Sequence, residues 1–221
     1  MHQLILDIRP DALPAFDNFL VGPNAEAVAA LRAMAKPAPP YADIQVIYLW
    51  GEAGMGKTHL LRAWSAFAGA AYLARGPLPD SETRMLAVDD VADLDAEDQR
   101  RLFSHLNRAR EEGGRLLVAG PVPPVQLALR PDLQTRLAQG LVFRLHPLSD
   151  RDKAQAVGIR AEARGMHMSE ELVRYMLGHC ARDLPRLLAT VDALDALSLS
   201  RKCMASLALL KELLHGTTPQ P

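Results

Sequence analysis

The chain has 221 residues, enough for one domain of about 150 residues with a small appendage. Hydrophobic residues make up 49%, charged residues 23% and aromatics 5%, which excludes disordered and fibrous chains and leaves few rings for stacking single-stranded nucleic acid. With 25 Lys+Arg against 26 Asp+Glu the net charge is −1, so no global positive field exists to capture a phosphate backbone, and free-standing DNA binding is disfavoured. No uncharged apolar run approaches the roughly 18 residues of a transmembrane helix, and Asp7, Arg9, Pro10 and Asp11 stand where a secretory apolar stretch would lie, so a cytoplasmic chain is expected. Cys180 and Cys203 form no CxxC pair and are expected to be buried thiols; HExxH and GxSxG are absent, which removes the metallohydrolase and serine-hydrolase readings.

In chain order, Ile44-Gln-Val-Ile-Tyr-Leu-Trp50 is β-branched, apolar and too short for a helix, and it stops at a glycine-rich turn, which predicts a buried central strand. Gly51-Glu-Ala-Gly-Met-Gly-Lys-Thr58 follows, then helical spacing over His59 to Phe67. Tyr72-Leu73 predicts a short strand and Met85 to Asp89 a second strand ending in carboxylates. Asp95 with Asp98 opens a helix that runs to Gly113-Gly114. Arg115 to Ala119 is the next strand, Arg130 to Gln139 a short helix, and Leu141 to Leu145 a last strand. From Ser149 the texture changes: Ser149 and Ser169 read as helix N-caps, Gly165 as a helix end, and apolar residues recur at helical periods as far as His215. The Arg151, Asp152, Lys153, Arg160, Glu162 and Arg164 run reads as a solvated helix face. Strands alternating with helices imply a parallel sheet in an α/β head, with a boundary near Pro147 and a small helical bundle beyond it.

The chemistry concentrates in two places. In Gly51-x-x-x-x-Gly56-Lys57-Thr58 the glycines let backbone N–H groups close on phosphate oxygens and the helix N-terminus favours negative charge. Lys57 can reach the β/γ-phosphates and the Thr58 hydroxyl can ligate Mg²⁺. A strand before the loop and a helix after it satisfy the contextual test that a chance glycine turn would fail. Asp89-Asp90 supply what phosphoryl transfer needs beside such a loop: Asp89 to hold Mg²⁺ and Asp90 to orient a water.

Together, Phe16-Asp-Asn-Phe19-Leu-Val-Gly22, the Gly51 to Leu60 loop and Leu86-Ala-Val-Asp89-Asp90 resemble the AAA+ ATPases of the bacterial replication initiator DnaA group. Leu133-Gln-Thr-Arg136-Leu-Ala-Gln-Gly140, Leu148 to Lys153 and Arg182 to Asp195 look like the Hda family, whose members inactivate that initiator. The resemblance implies an AAA+ P-loop parallel-sheet domain over 11–147 and a helical lid domain over 148–216, flanked by an extended peptide at 1–10 and a disordered tail at 217–221. It also implies that ADP or ATP binds with Mg²⁺ at Gly51, Glu52, Ala53, Gly54, Met55, Gly56, Lys57, Thr58 and His59. Phe16, Phe19 and Val21 would line the adenine pocket.

Further roles follow from the same likeness. Arg136 would be a finger entering a neighbour's nucleotide site. Gln3, Leu4, Leu6 and Ile8 resemble the QLxLPL-type peptide that binds the DNA polymerase III β sliding clamp, with Asp7 replacing the usual proline. The initiator DnaA and the clamp are the implied partners, with DNA reached only through the clamp, no membrane, and homo-oligomerisation left open. The match ends where the initiator continues into a DNA-binding helix-turn-helix. Two positions depart from the pattern: the first sensor falls at Pro121, beside Val122, and the second at Pro185, flanked by Arg182 and Arg186. Both departures predict weak intrinsic hydrolysis, with bound ADP as the working state. Competing readings are a helicase-loader-type or DnaA-like ATPase, and a non-hydrolysing adaptor stiffened by nucleotide.

Overall fold

Five strands alternate with helices in a computed structural model that describes residues 13–36, 43–74, 77–79, 83–180 and 184–215. The strands are β1 (Val46–Trp50), β2 (Ala71–Leu73), β3 (Met85–Val88), β4 (Arg115–Gly120) and β5 (Leu141–Arg144). They form one sheet in the order β2-β3-β4-β1-β5, and every pairing is parallel. The predicted parallel α/β sheet is therefore present, with strand ends shifted by one or two residues from their sequence limits.

Side-chain parity splits the core between the two faces of the sheet. Ile47, Leu49, Leu117 and Ala119 point to one face, where α1 (Ala25–Ala35) and α2 (Lys57–Ala68) deliver Leu31, Met34, Leu60, Leu61 and Trp64. Tyr48, Leu116 and Val118 point to the other, where α3 (Ala96–Glu112) and α4 (Pro131–Ala138) deliver Leu102, Leu106, Leu133 and Leu137. Complete burial of a Leu or Ile side chain contributes roughly 1.5–3 kcal/mol, so each face is held by several such terms. Helix α1 was not foreseen in the sequence. Its apolar residues Val28, Leu31 and Met34 share a face, but a run of alanines between them blurs the period.

The capping signals act as read. The Asp95 carboxylate accepts from Asp98 N–H at 2.8 Å, and Gly113 closes α3 in the left-handed region at φ 81°. Ser149 and Ser169 cap α5 (Asp150–Ala163) and α6 (Glu170–His179), and Gly165 follows α5 at φ 69°. Two further helices, α7 (Leu184–Arg201) and α8 (Leu207–His215), complete the second unit.

Contacts divide the chain into a head ending at Pro147 and a helical unit from Leu148 onward. Within the helical unit Val157, Met176, Val191, Leu194 and Leu210 form a separate apolar centre. One sequence reading is corrected here. Arg160 and Arg164 do not lie on a solvated face: Arg160 grips the Asp192 carboxylate with Nε and Nη2 at 2.8 and 2.6 Å, and Arg164 contacts Asp192 at 2.7 Å and Asp195 at 3.4 Å. Asp192 and Asp195 share one face of α7, three residues apart, so a charged stripe on α5 meets its complement at a helix packing surface. Cys203 departs from expectation as well: it is exposed in the turn after α7, whereas Cys180 is half-buried, and both thiols are free.

Candidate functional site

Because all five strands run parallel, their C-terminal ends share one edge of the sheet. There β1 leads into the glycine loop, β3 into Asp89-Asp90 and β4 into Pro121. β4 lies between β1 and β3, so loop and carboxylates are separated by two strand spacings, about 10 Å. That spacing, at the carboxyl ends of parallel strands, suits a phosphate chain and its cation.

The loop conformation depends on glycine at two points. Gly54 and Gly56 sit at φ 81° and 88°, which other residues rarely adopt, and a Cβ on Gly56 would lie 2.8 Å from Phe19 Cε2. Lys57 opens α2 and turns its ammonium back on the loop, donating to the carbonyls of Gly51 at 2.6 Å and Glu52 at 2.9 Å. Burial pulls its pKa down, while the carboxylates of Asp90 and Asp89 pull it back up. A half-buried ammonium at the glycine-rich start of a helix, with acids facing it, suits a polyphosphate.

Asp89 is nearly fully buried, at 4% exposure. Its Oδ1 accepts from Asp90 N–H at 3.1 Å and its Oδ2 from the Tyr72 hydroxyl at 3.1 Å. Asp90 is exposed and holds φ 45°, a left-handed conformation that Asp tolerates better than most side chains. Thr58, Asp89 and Asp90 offer hard oxygen donors, the chemistry Mg²⁺ selects. Among the described residues no group of three or more His, Cys, Asp or Glu could hold a metal ion alone. Hard oxygen donors of this kind suit a cation whose remaining ligands are nucleotide phosphates and water.

The segment before α1 is pinned to this edge. Asn24, 4% exposed, donates to the His146 carbonyl at 3.1 Å and accepts from its N–H at 2.8 Å. Of the three residues expected around adenine, Phe19 reaches the loop, packing against Gly56 and lying 5.4 Å from the His59 ring. Val21 is half-buried beside the same core. Phe16 is instead a core residue, edge-on to Phe67 at 5.5 Å and covered by the Arg32 guanidinium at 4.8 Å. His59 holds this segment through its Nε2, 3.0 Å from the Ala15 carbonyl.

Arg136 lies elsewhere. Leu133 and Leu137 anchor α4 in the core and leave Arg136 half-exposed between them, its Nη1 donating to Gln139 Oε1 at 3.2 Å. It lines a groove of about 510 Å³ together with Val46, at the start of β1, and Leu141, at the start of β5. That is the N-terminal edge of the sheet, whereas the loop hangs from the C-terminal end of β1. The five residues of β1, a rise of about 13 Å from first to last, separate the two edges. Gln3, Leu4, Leu6, Ile8 and Arg182 lie outside the described residues. Arg186 is exposed near the start of α7 in the helical unit.

Family comparisons agree with this geometry. The bacterial DnaA ATPase domain model matches residues 11–72, and the model described as Hda, lid domain, matches residues 150–214. This chain is a DnaA/Hda-like AAA+ protein. Domain III of the replication initiation protein DnaA from Thermotoga maritima superposes with a TM-score of 0.77 at 22% identity, covering 96% of this chain and 99% of that one. DnaA of Aquifex aeolicus, solved with AMPPCP bound, gives a TM-score of 0.69 at 16% identity over 87% of this chain and 69% of that one. The Thermotoga maritima RuvB Holliday junction branch migration motor gives 0.67 at 13% identity over 87% of this chain and 67% of that one. At these identities the likeness carries the fold: an AAA+ head followed by an Hda-type lid. Among the described residues no helix is long and apolar enough to cross a membrane.

Sequence reasoning missed two residues of the AAA+ site. Asn24 carried no signal, since its pairing with His146 spans 122 positions. Tyr72 was placed on a strand, but its hydroxyl finds Asp89 only through the register of β2 on β3.

Proposed function

We propose that this AAA+ protein is a negative regulator of DNA replication initiation: with adenine nucleotide in its loop and docked on the sliding clamp, it promotes hydrolysis of ATP held by the initiator DnaA. One observation supports the reading: Arg136 stands at the N-terminal edge of the sheet, whereas Lys57 lies at the C-terminal edge, so Arg136 is remote from the molecule's own loop. The match to the Hda lid model supports the regulatory branch over the initiator itself.

Lys57 and the loop N–H groups bind the phosphates, Phe19 and Val21 flank the base, and Asp89 with Thr58 would hold Mg²⁺. That cation, when bound, neutralises charge shared between the phosphates. Asp90 orients the water for any hydrolysis in the molecule's own site. Pro121, directly after β4, has neither a side-chain donor nor an N–H to offer a γ-phosphate, which favours slow turnover and a resting ADP state. The Arg136 guanidinium supplies charge to a transferring phosphoryl in trans, a role worth about 10³–10⁵ in rate. Gln3, Leu4, Leu6 and Ile8 provide the clamp contact.

The decisive experiment measures ATP turnover by DnaA in the presence of clamp-loaded DNA, with wild-type protein and Arg136→Ala. The expected result is stimulation by wild type and loss of it in the variant, with folding and nucleotide binding retained. Stimulation that survives Arg136→Ala removes the finger assignment.

A further inference from the structure

Strand register creates a contact that the phosphate-loop motif does not contain. Tyr72 on β2 pairs with Ala87 on β3, so Asp89, two residues on, shares the face of Tyr72. The β2–β3 ladder continues past the strand end through Asp89 N–H donating to the Leu73 carbonyl at 2.8 Å, which fixes the backbone under the carboxylate. The phenol spans the remaining distance and donates to Asp89 Oδ2 at 3.1 Å. Its ring is in turn covered by the guanidinium of Arg62, 5.3 Å from the centroid and five residues along the helix that Lys57 opens. With Oδ1 taken by Asp90 N–H, both oxygens of a carboxylate only 4% exposed are oriented by the protein.

We propose that Tyr72, braced by Arg62, is a positioning residue that fixes the rotamer of Asp89 for the cation accompanying the bound nucleotide, and so sets how strongly Mg²⁺ tightens nucleotide binding. This rests on the reading of the loop as a nucleotide site. Outer partners of metal-facing carboxylates typically govern affinity by 10–100-fold. The phenol reaches Asp89 and not the phosphates, so its effect is confined to the cation-dependent part of binding.

The test titrates a fluorescent ADP analogue into the full chain, first in EDTA and then across Mg²⁺ concentrations. Tyr72→Phe, which removes one oxygen, is expected to leave the affinity in EDTA unchanged and to raise the Mg²⁺ midpoint about 10-fold. Arg62→Ala, at an exposed position, shifts the midpoint in the same direction by less and covers the case in which Tyr72→Phe does not fold. Adding Tyr72→Phe to Asp89→Asn causes no further change, because the phenol acts through that carboxylate. An unchanged midpoint in both single variants, or an equal loss in EDTA, overturns the proposal. Wild-type protein that binds no adenine nucleotide refutes the nucleotide site itself, which separates the two failures.

Discussion

Replacing Gly120 by alanine tests the packing beneath the candidate site. A Cβ at the end of β4 would lie 2.2 Å from Tyr48 Oη and 3.2 Å from both Tyr48 Cζ and Val91 Cγ1. Tyr48 has no exposed surface and cannot swing into solvent, and its hydroxyl donates to the Val122 carbonyl at 2.7 Å. The methyl can be accepted only if that hydroxyl moves by an ångström or more, which breaks the bond and strains the ring. Overpacking costs about 1–3 kcal/mol, and leaving a buried polar group without its partner costs about 1–3 kcal/mol more, for a loss near 3 kcal/mol. Both tryptophans, Trp50 and Trp64, belong to the head, so fluorescence during urea unfolding reports that unit alone. With a urea slope of about 2 kcal/mol/M the midpoint should fall by roughly 1.5 M. Tyr48→Phe alone should cost about 1–2 kcal/mol, and Gly120→Ala with Tyr48→Phe should be more stable than Gly120→Ala alone, since the clashing oxygen is gone. A Gly120→Ala midpoint close to wild type, or a double variant weaker than Gly120→Ala, would refute the reasoning.

Two further outcomes follow from buried polar groups. Burial pushes the Tyr48 hydroxyl well above the usual tyrosine range, so the folded head retains that proton where the unfolded chain releases it. The contribution is intact below the unfolded value near 10 and is lost as pH rises above it; urea midpoints should therefore decline in alkali, and less steeply in Tyr48→Phe. In the helical unit, Asp192→Asn removes the anion that holds two arginines, of which Arg164 is only 11% exposed, and should cost that unit about 2 kcal/mol. Faster amide hydrogen exchange in α5 and α7 is the expected signature, and unchanged protection there would show the network to be dispensable.

Local chemistry made much of this molecule legible in one dimension. The phosphate loop, the strand before it, the capped helices at Asp95, Ser149 and Ser169, and the carboxylates ending β3 are each specified within about ten residues, because turn conformations and caps are decided by near neighbours. What the sequence could not contain is any pairing fixed by strand order or helix packing. Phe16 entered the core rather than the nucleotide edge, Arg160 and Arg164 found Asp192 and Asp195 on another helix, and Asn24 met His146 across most of the head. The order β2-β3-β4-β1-β5 put Asp89 two strands from the loop and Arg136 at the opposite edge, in a groove with the starts of β1 and β5. Such placements depend on which faces are buried together, a property of the assembled layers and not of any window along the chain.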